Sequence, residues 1–166
     1  MQILVSDTSV IIDLERANLL EVVFRTTLKF AMPDLLFERE FGADGLPLVA
    51  LGLSVLTLSP DELALAQVVH NKEIALSLPD CFALALSTRE QHILLTGDMA
   101  LRKSAETKKI HCHGLLWLLD QLYAMRAVAV DRLYDGLSTL AKHPRCRLPK
   151  KEVAMRLLRW NDKKEI

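Results

Sequence analysis

The chain has 166 residues, of which 51% are hydrophobic and 25% are charged, and its formal net charge at pH 7 is zero. This length and composition indicate one folded domain with a substantial core, and they exclude a disordered acidic or basic chain. The sequence has no apolar run of about 18 residues and no basic segment before a short apolar run at its start. Its three cysteines form no CxxC pair, which is typical of a reducing compartment, so we expect a cytoplasmic protein without a membrane span.

Short apolar runs alternate along the chain with longer segments in which apolar residues have helical spacing. Strands that are separated by helices pair in parallel through right-handed crossovers. The sequence therefore predicts an α/β fold, a three-layer α/β/α sandwich with a central, mostly parallel sheet. In chain order the predicted strands are 2–6, 28–32, 54–58, 93–96 and 110–112, and the predicted helices begin near residues 10, 17, 33, 60, 78, 99, 114, 130 and 150.

The end of the chain differs in character from the part before it. We assign residues 1–142 to the α/β/α domain and residues 143–166 to a C-terminal basic amphipathic helical extension. The extension can dock on the core through its apolar residues, among them Trp160, or can follow a nucleic-acid backbone with its lysines and arginines. The sequence leaves both interpretations open, and we expect docking with a basic face still available to RNA.

The zero net charge conceals an uneven distribution along the chain. Residues 1–101 carry 6 Lys and Arg against 14 Asp and Glu, whereas residues 102–166 carry 15 against 7. An acidic centre beside a basic flank suits a metal-dependent enzyme that acts on a polyanion, because the acids hold the ion while the bases hold phosphates. Surface helices that merely differ in charge would give the same partition.

Four carboxylates are predicted to stand where strands end or helices begin. They are Asp7, Glu38, Asp80 and Asp98. In an open α/β sheet the carboxyl ends of the strands form the ligand-binding crevice, so acids that are distant in sequence can converge there. Converging carboxylates favour a hard divalent ion, Mg²⁺ or Mn²⁺, and phosphodiester hydrolysis. Each aspartate alone has a second interpretation, as a cap that stabilises a helix N-terminus.

Four segments that contain these acids carry a resemblance to a known family. They are Ile-Leu-Val-Ser-Asp-Thr-Ser at 3–9, Pro-Asp-Leu-Leu-Phe-Glu at 33–38, Leu-Ser-Leu-Pro-Asp-Cys-Phe-Ala-Leu-Ala at 76–85 and Leu-Leu-Thr-Gly-Asp at 94–98. With them the chain resembles PIN domains, the nuclease module of many bacterial toxins of toxin–antitoxin pairs and of RNA-processing enzymes. The resemblance implies a metal-dependent endoribonuclease in which Asp7, Glu38, Asp80 and Asp98 surround one or two Mg²⁺ or Mn²⁺ ions. It also implies RNA as substrate, a small antitoxin protein as a partner, and a homodimer.

The resemblance is imperfect at the second acid. Family members usually place this glutamate directly before an apolar residue, whereas here Glu38 precedes Arg39 and Glu40 precedes Phe41. Glu38 remains our first choice, and Glu40 is the alternative.

Three residues beside the acids are candidates for a supporting role. Thr8 and Thr96 can orient water or a carboxylate, or they can cap helices. Arg102 lies one helical turn after Asp98, so it can reach either a phosphate or that carboxylate.

Two other patterns have weaker functional interpretations. His111 and His113 would share one face of a strand, but two histidines are too few for a zinc site. The apolar run 115–119 is too short to cross a membrane and predicts a buried helix or a self-association face.

Two alternative functions also remain for the chain as a whole. One is a PIN-like module that regulates or binds another protein with little nuclease activity. The other is a phosphoryl-transfer or receiver-type enzyme with Asp7 as phosphate acceptor, although this reading lacks the expected acidic pair and a matching lysine at a later strand end.

Overall fold

The centre of the molecule is a parallel sheet of five strands in the order β3-β2-β1-β4-β5. The computed structural model describes residues 1–163. The central strand β1 pairs with β2 on one side and with β4 on the other. Helices cover the sheet, so its middle strands are almost entirely apolar, as expected for a parallel sheet that is buried on both faces. The strands are β1 (Ile3–Ser6), β2 (Lys29–Pro33), β3 (Ser54–Leu56), β4 (His92–Leu95) and β5 (Cys112–His113).

Helices account for most of the rest of the part that the structure describes. Several begin at a Ser or Asp side chain that accepts a hydrogen bond from the first turn, which is the usual N-cap chemistry. This arrangement confirms the predicted α/β/α sandwich. The helices are α1 (Thr8–Arg16), α2 (Leu20–Phe24), α3 (Asp34–Glu40), α4 (Leu46–Leu51), α5 (Pro60–Lys72), α6 (Leu78–Leu86), α7 (Met99–Thr107), α8 (Leu115–Ala124), α9 (Val130–Lys142) and α10 (Lys150–Asn161).

The structure corrects the sequence prediction in the segment after α3. The sequence predicted no helix between those that begin near residues 33 and 60, but Gly42–Gly45 forms a 3-10 helix that leads directly into α4. Gly45 is required by packing, because a Cβ atom at this position would lie 2.4 Å from Cζ of Phe37. The prediction was therefore wrong because a packing requirement has the same sequence signature as a turn.

Two other boundaries also differ from the prediction. The last strand is Cys112–His113 and not 110–112, and α2 begins at Leu20 and not at residue 17. The segment between α1 and α2 contains Asn18 in the left-handed conformation, with a φ of 56°. A residue in this conformation interrupts the helix, although its neighbours keep the helical pattern of apolar residues.

Strands and helices share one hydrophobic core. Leu4 and Val5 of β1, Leu94 and Leu95 of β4, and the whole Cys81–Leu86 segment of α6 are buried in it. The helix α6 is thus a central core element, with its first turn at the surface.

Among residues 1–163, no helix is long and apolar enough to cross a membrane.

The helix α10 packs on α9 and α8. Trp160 is fully buried within the same core cluster as the sheet, and Val153 is nearly so. Asp120 of α8 accepts hydrogen bonds from Nη2 of Arg156 at 2.6 Å and from Nη2 of Arg159 at 2.9 Å. The helix therefore docks on the core, which is one of the two interpretations that the sequence left open. The division at residue 142 stays a prediction, and the end of the predicted extension, 164–166, lies outside the described residues.

Replacing Trp160 by Ala should lower the free energy of unfolding by about 3–5 kcal/mol, because the substitution leaves a large cavity in the core. Urea denaturation followed by far-ultraviolet circular dichroism measures the change. Leu158→Ala, on the exposed side of the same helix at 67% exposure, is the matched control and should shift stability by no more than about 0.5 kcal/mol. Equal effects of the two substitutions would show that α10 does not depend on Trp160 for docking.

Candidate active site

Asp7 is a buried carboxylate at the point where β1 ends and α1 begins. Its side chain is at the N-cap of α1, and the residue is 5% exposed. The Oδ1 atom accepts hydrogen bonds from the backbone N–H of Val10 at 3.0 Å and from the hydroxyl of Ser9 at 2.7 Å. The carboxylate is therefore oriented by its own helix, with Oδ2 on the other side.

Thr96 holds that second oxygen. Strand β4 pairs with β1 so that Ser6 lies opposite Leu95, and this register places Thr96 beside Asp7. The buried hydroxyl of Thr96 donates a hydrogen bond to Oδ2 of Asp7 and accepts one from the backbone N–H of Asp98 at 3.0 Å. One side chain thus connects two of the four predicted acids.

Asp98 is the N-cap of α7. Its Oδ1 atom accepts a hydrogen bond from the backbone N–H of Leu101 at 2.8 Å, and the residue is exposed. Among residues 1–163, no hydrogen bond engages its Oδ2 atom. The side chain therefore caps a helix with one oxygen and presents the other to solvent.

Asp80 has the same double role in α6. Together with Ser77 it forms a capping box, in which Oδ2 of Asp80 accepts a hydrogen bond from the N–H of Ser77 at 2.9 Å and the Ser77 hydroxyl accepts one from the N–H of Asp80. The spacing Ser-x-x-Asp at 77–80 is a sequence signal of this box that the prediction did not use. The Oδ1 atom has no hydrogen-bond partner in the described part of the chain.

The electrostatics of the Asp7 carboxyl depend on its burial, its hydrogen bonds and the charge of Asp80. Burial raises the pKa of the Asp7 carboxyl above its ordinary value, and the negative charge of Asp80 raises this pKa further. The hydrogen bonds from Thr96, Ser9 and Val10 act in the opposite direction and favour the ionised form. The pair is therefore a place where a cation would relieve both desolvation and repulsion.

The two candidates for the second acid are on the helix α3. Glu38 and Glu40 are exposed on α3, whose buried side packs against α6. Within residues 1–163, no three His, Cys, Asp or Glu side chains are close enough together to hold a metal ion between them. Thr96 links Asp7 to Asp98, and the charge of Asp80 acts on Asp7, whereas no hydrogen bond joins Glu38 or Glu40 to these acids in residues 1–163.

The donor chemistry of Asp7 and Asp80 fits a hard divalent ion. Mg²⁺ keeps several of its waters and is usually held by one or two carboxylates in addition to substrate phosphates. A buried carboxylate with a raised pKa beside a second acid supplies such a ligand pair, and Asp98 has a free oxygen nearby along the hydrogen-bond chain through Thr96. The residues present therefore fit Mg²⁺ or Mn²⁺ with water in the remaining positions.

Neither Thr8 nor Arg102 forms a hydrogen bond with the side chain of the aspartate that precedes it in sequence, among the residues that the structure describes. Thr8 is the first residue of α1, and no hydrogen bond joins its hydroxyl to Asp7 among the described residues, whereas Ser9 makes that bond. Arg102 donates a hydrogen bond of 3.4 Å to the backbone oxygen of Thr96 and forms no ion pair with Asp98 in residues 1–163. Of the two outcomes predicted for Arg102, the contact with the Asp98 carboxylate is absent there.

The fold and the acidic edge of the sheet define a class of nuclease-like α/β domains. A family model described as PIN domain matches residues 3–162 of this chain. The chain belongs to the PIN domain family, and PIN domains are generally nucleases that use divalent metals. No curated protein matches the chain. The family match includes α10, so it extends beyond the segments from which the resemblance was first inferred.

Asp7→Asn should increase the free energy of unfolding near neutral pH in the absence of metal, because it removes a buried charge while the amide oxygen can still accept the hydrogen bonds from Val10 and Ser9. The folded-state pKa of Asp7 is raised, so the wild-type protein loses stability as pH rises through that value. The advantage of the variant should disappear below pH 3.8, the ordinary pKa of the group, where the wild-type carboxyl is protonated in both states.

Urea denaturation in EDTA across this pH range measures the difference between the two proteins. Asp61→Asn, an exposed acid in the first turn of α5, is the control and should show no comparable pH dependence. A variant that is less stable at neutral pH would show that hydrogen bonding to the charged form outweighs burial at Asp7.

Proposed function

We propose that this PIN domain is a divalent-metal-dependent endoribonuclease that hydrolyses RNA phosphodiester bonds at the carboxyl edge of its sheet. The observation that carries the proposal is the buried carboxylate of Asp7, which Thr96 and Ser9 orient and beside which Asp80 places a second negative charge. The repulsion between these two charges costs free energy in the metal-free protein, and a bound divalent cation would relieve it. Asp7, Asp80 and Asp98 are the proposed ligands, with Glu38 or Glu40 as the fourth acid.

In this proposal each residue has a defined task. When bound, the ion would lower the pKa of the attacking water and neutralise charge that develops on the scissile phosphate. Thr96 and Ser9 hold Asp7 in one orientation, so that little reorganisation is needed during the reaction. One carboxylate, that of Asp98 or that of Asp80, accepts the proton of the water through an oxygen that is not used for capping.

The biological role that we propose is that of the toxin in a toxin–antitoxin pair. Its partners would be cellular RNA, a second copy of the chain in a homodimer, and a small antitoxin with a basic tail that enters the acidic edge. The charge of residues 1–101, 6 basic against 14 acidic, supports such a tail as a ligand. Co-purification with the product of an adjacent short reading frame, and inhibition of RNA cleavage by it, would test this role.

A second candidate is supported by the capping geometry. Because Asp7, Asp80 and Asp98 all cap helices, their presence has a structural reason even in a domain that cuts nothing. The domain would then serve as a regulatory or protein-binding module. Isothermal titration with Mn²⁺ and an RNA cleavage assay separate the candidates, since the module would bind the ion weakly and leave RNA intact.

Asp80→Asn should abolish RNA cleavage in Mg²⁺ or Mn²⁺ and weaken Mn²⁺ binding, while the fold is retained. The Asn side chain keeps an oxygen that can accept the N–H of Ser77, so the capping box survives, and the repulsion of Asp7 is removed. Stability should therefore change by no more than about 1 kcal/mol. Asp61→Asn is the control for loss of one acid near a helix start and should cleave RNA like the wild type. Unfolding of the Asp80 variant with unchanged metal affinity would assign Asp80 to capping alone.

Replacing Lys150 and Lys151 by Ala should flatten the salt dependence of RNA binding. Both lysines are exposed at the start of α10, where they can contact phosphates. The slope of log affinity against log salt should fall by about 0.7 for each lost contact on a single strand. Titration of labelled RNA in Ca²⁺ over a range of salt concentrations measures the slope.

Arg159→Ala is the contrasting variant for that experiment. Arg159 pairs with Asp120 and lies over the ring of Tyr123 at 5.1 Å, so its loss should reduce thermal stability and leave the slope nearly unchanged. An unchanged slope in the lysine variant would remove α10 from the RNA-binding surface.

A further inference from the structure

Arg102 is a partly buried cation without a counter-ion in the part of the chain that the structure describes. Its Nε atom is buried and has no hydrogen-bond partner there, and its one hydrogen bond is the 3.4 Å contact from Nη2 to the oxygen of Thr96. Glu106 stands one turn further along α7, where an ion pair is geometrically available, but none is formed. A desolvated guanidinium in this state is expected to receive an anion from outside the chain.

Other partly buried arginines of the chain differ from Arg102 in this respect. Arg89 binds Glu62, and Arg156 binds Asp120 with two nitrogens. Arg16 pairs with Asp13 on α1 through one nitrogen, Nη1, at 3.4 Å. The protein therefore compensates these partly buried guanidinium groups internally, whereas Arg102 has no counter-ion among residues 1–163 and lies beside the proposed active site.

The Arg102 guanidinium occupies the space beside Gly114 that a side chain at that position would fill. A Cβ atom at Gly114 would stand 2.6 Å from Nη2 of Arg102 and 3.6 Å from the backbone oxygen of Thr96. Gly114 has a φ of −110°, which any residue can adopt, so conformational freedom does not explain the glycine. Its structural consequence is that the guanidinium reaches the end of β4, next to the residue that holds Asp7.

An aromatic pair adjoins this position. His113 and Trp117 stack with their ring centroids 4.2 Å apart and their planes 6° apart, and both side chains are partly buried. Burial lowers the pKa of His113, and the positive charges of Arg102 and His111 lower it further, which favours the neutral imidazole. The indole N–H of Trp117 has no hydrogen-bond partner in residues 1–163, and it is not buried. A base is bound by such a surface through stacking, which is the usual way in which single-stranded RNA is recognised.

We propose that Arg102, His113 and Trp117 form a nucleotide subsite for single-stranded RNA, in which Arg102 binds a backbone phosphate and the His113–Trp117 stack receives the adjoining base. The inference rests on the proposed ribonuclease function, because it assigns the substrate strand to the β5 side of the acidic edge. The backbone N–H of Thr96 donates a hydrogen bond to the backbone oxygen of His113 at 3.0 Å. The subsite is therefore next to Thr96, the residue that holds Asp7. A strand held there would pass the free oxygens of Asp80 and Asp98.

Binding of adenosine 5′-monophosphate tests the subsite without cleavage, since this probe has no phosphodiester bond. The chain has two tryptophans, and Trp160 is fully buried, so quenching of tryptophan emission by the nucleotide reports on Trp117. The wild-type protein in EDTA should show saturable quenching by the nucleotide and about tenfold weaker binding of adenosine, which lacks the phosphate. Trp117→Leu should remove the quenching and weaken binding of a short oligoribonucleotide at least about fivefold.

Two further variants separate a phosphate contact from a general effect of charge. Arg102→Ala should weaken nucleotide binding about tenfold and leave adenosine binding unchanged, while Lys103→Ala, which removes the same charge at the adjacent exposed position, should have little effect. Gly114→Ala should weaken nucleotide binding as much as Arg102→Ala does, because the added Cβ atom displaces the guanidinium while its charge is kept. Equal effects of Arg102→Ala and Lys103→Ala, or the absence of quenching in the wild type, would overturn the subsite.

An RNA cleavage assay tests the nuclease assignment independently of the nucleotide subsite. A protein that cuts RNA but shows no nucleotide binding at Trp117 retains the nuclease assignment and loses the subsite. A protein that binds the nucleotide through Arg102 and Trp117 but leaves RNA intact retains the subsite and loses the nuclease assignment.

Discussion

The hydrogen bond from Thr96 to Asp7 is the interaction on which the acidic edge of this domain depends. It is possible only because β1 and β4 are parallel neighbours in a register that sets Ser6 opposite Leu95. The same hydroxyl accepts the N–H of Asp98, so it also helps to fix the start of α7. A buried negative charge is costly unless hydrogen bonds or a cation compensate it, and Thr96 supplies part of that compensation in the protein alone.

The acids of this edge have structural and chemical roles that do not compete. Asp7, Asp80 and Asp98 each use one carboxylate oxygen to satisfy backbone N–H groups at the start of α1, α6 or α7. The positive ends of these helices stabilise the negative charges in turn. One oxygen of each carboxylate then remains directed away from the helix, with Oδ2 of Asp7 held by Thr96. This division explains how carboxylates that stabilise helix starts can also present oxygen atoms to an ion.

The basic part of the chain is less available than its charge suggests. Residues 102–166 carry 15 Lys and Arg, but Arg156 and Arg159 are engaged by Asp120, and Lys108 by Glu73. The cations that remain for an external anion include Arg102 near the acidic edge and Lys150 and Lys151 at the start of α10. The contrast between acidic and basic parts of the sequence therefore overstates the cationic surface, because ion pairs between helices neutralise a share of it.

The sequence by itself determined the α/β/α class, the parallel pairing, most strands and helices, and the positions of Asp7, Asp80 and Asp98 at strand ends or helix starts, because periodicity and capping chemistry are local properties. It did not reveal α4, since the glycine that packs on Phe37 looks the same as a turn. Only the tertiary structure decided that Thr96 meets Asp7, that Asp80 acts on the same carboxylate and that Glu38 stays exposed on α3. The same holds for Arg102, which lies beside the His113–Trp117 stack and has no counter-ion within residues 1–163. These contacts join residues up to 89 positions apart, and strand register and helix packing, which set them, depend on the whole core.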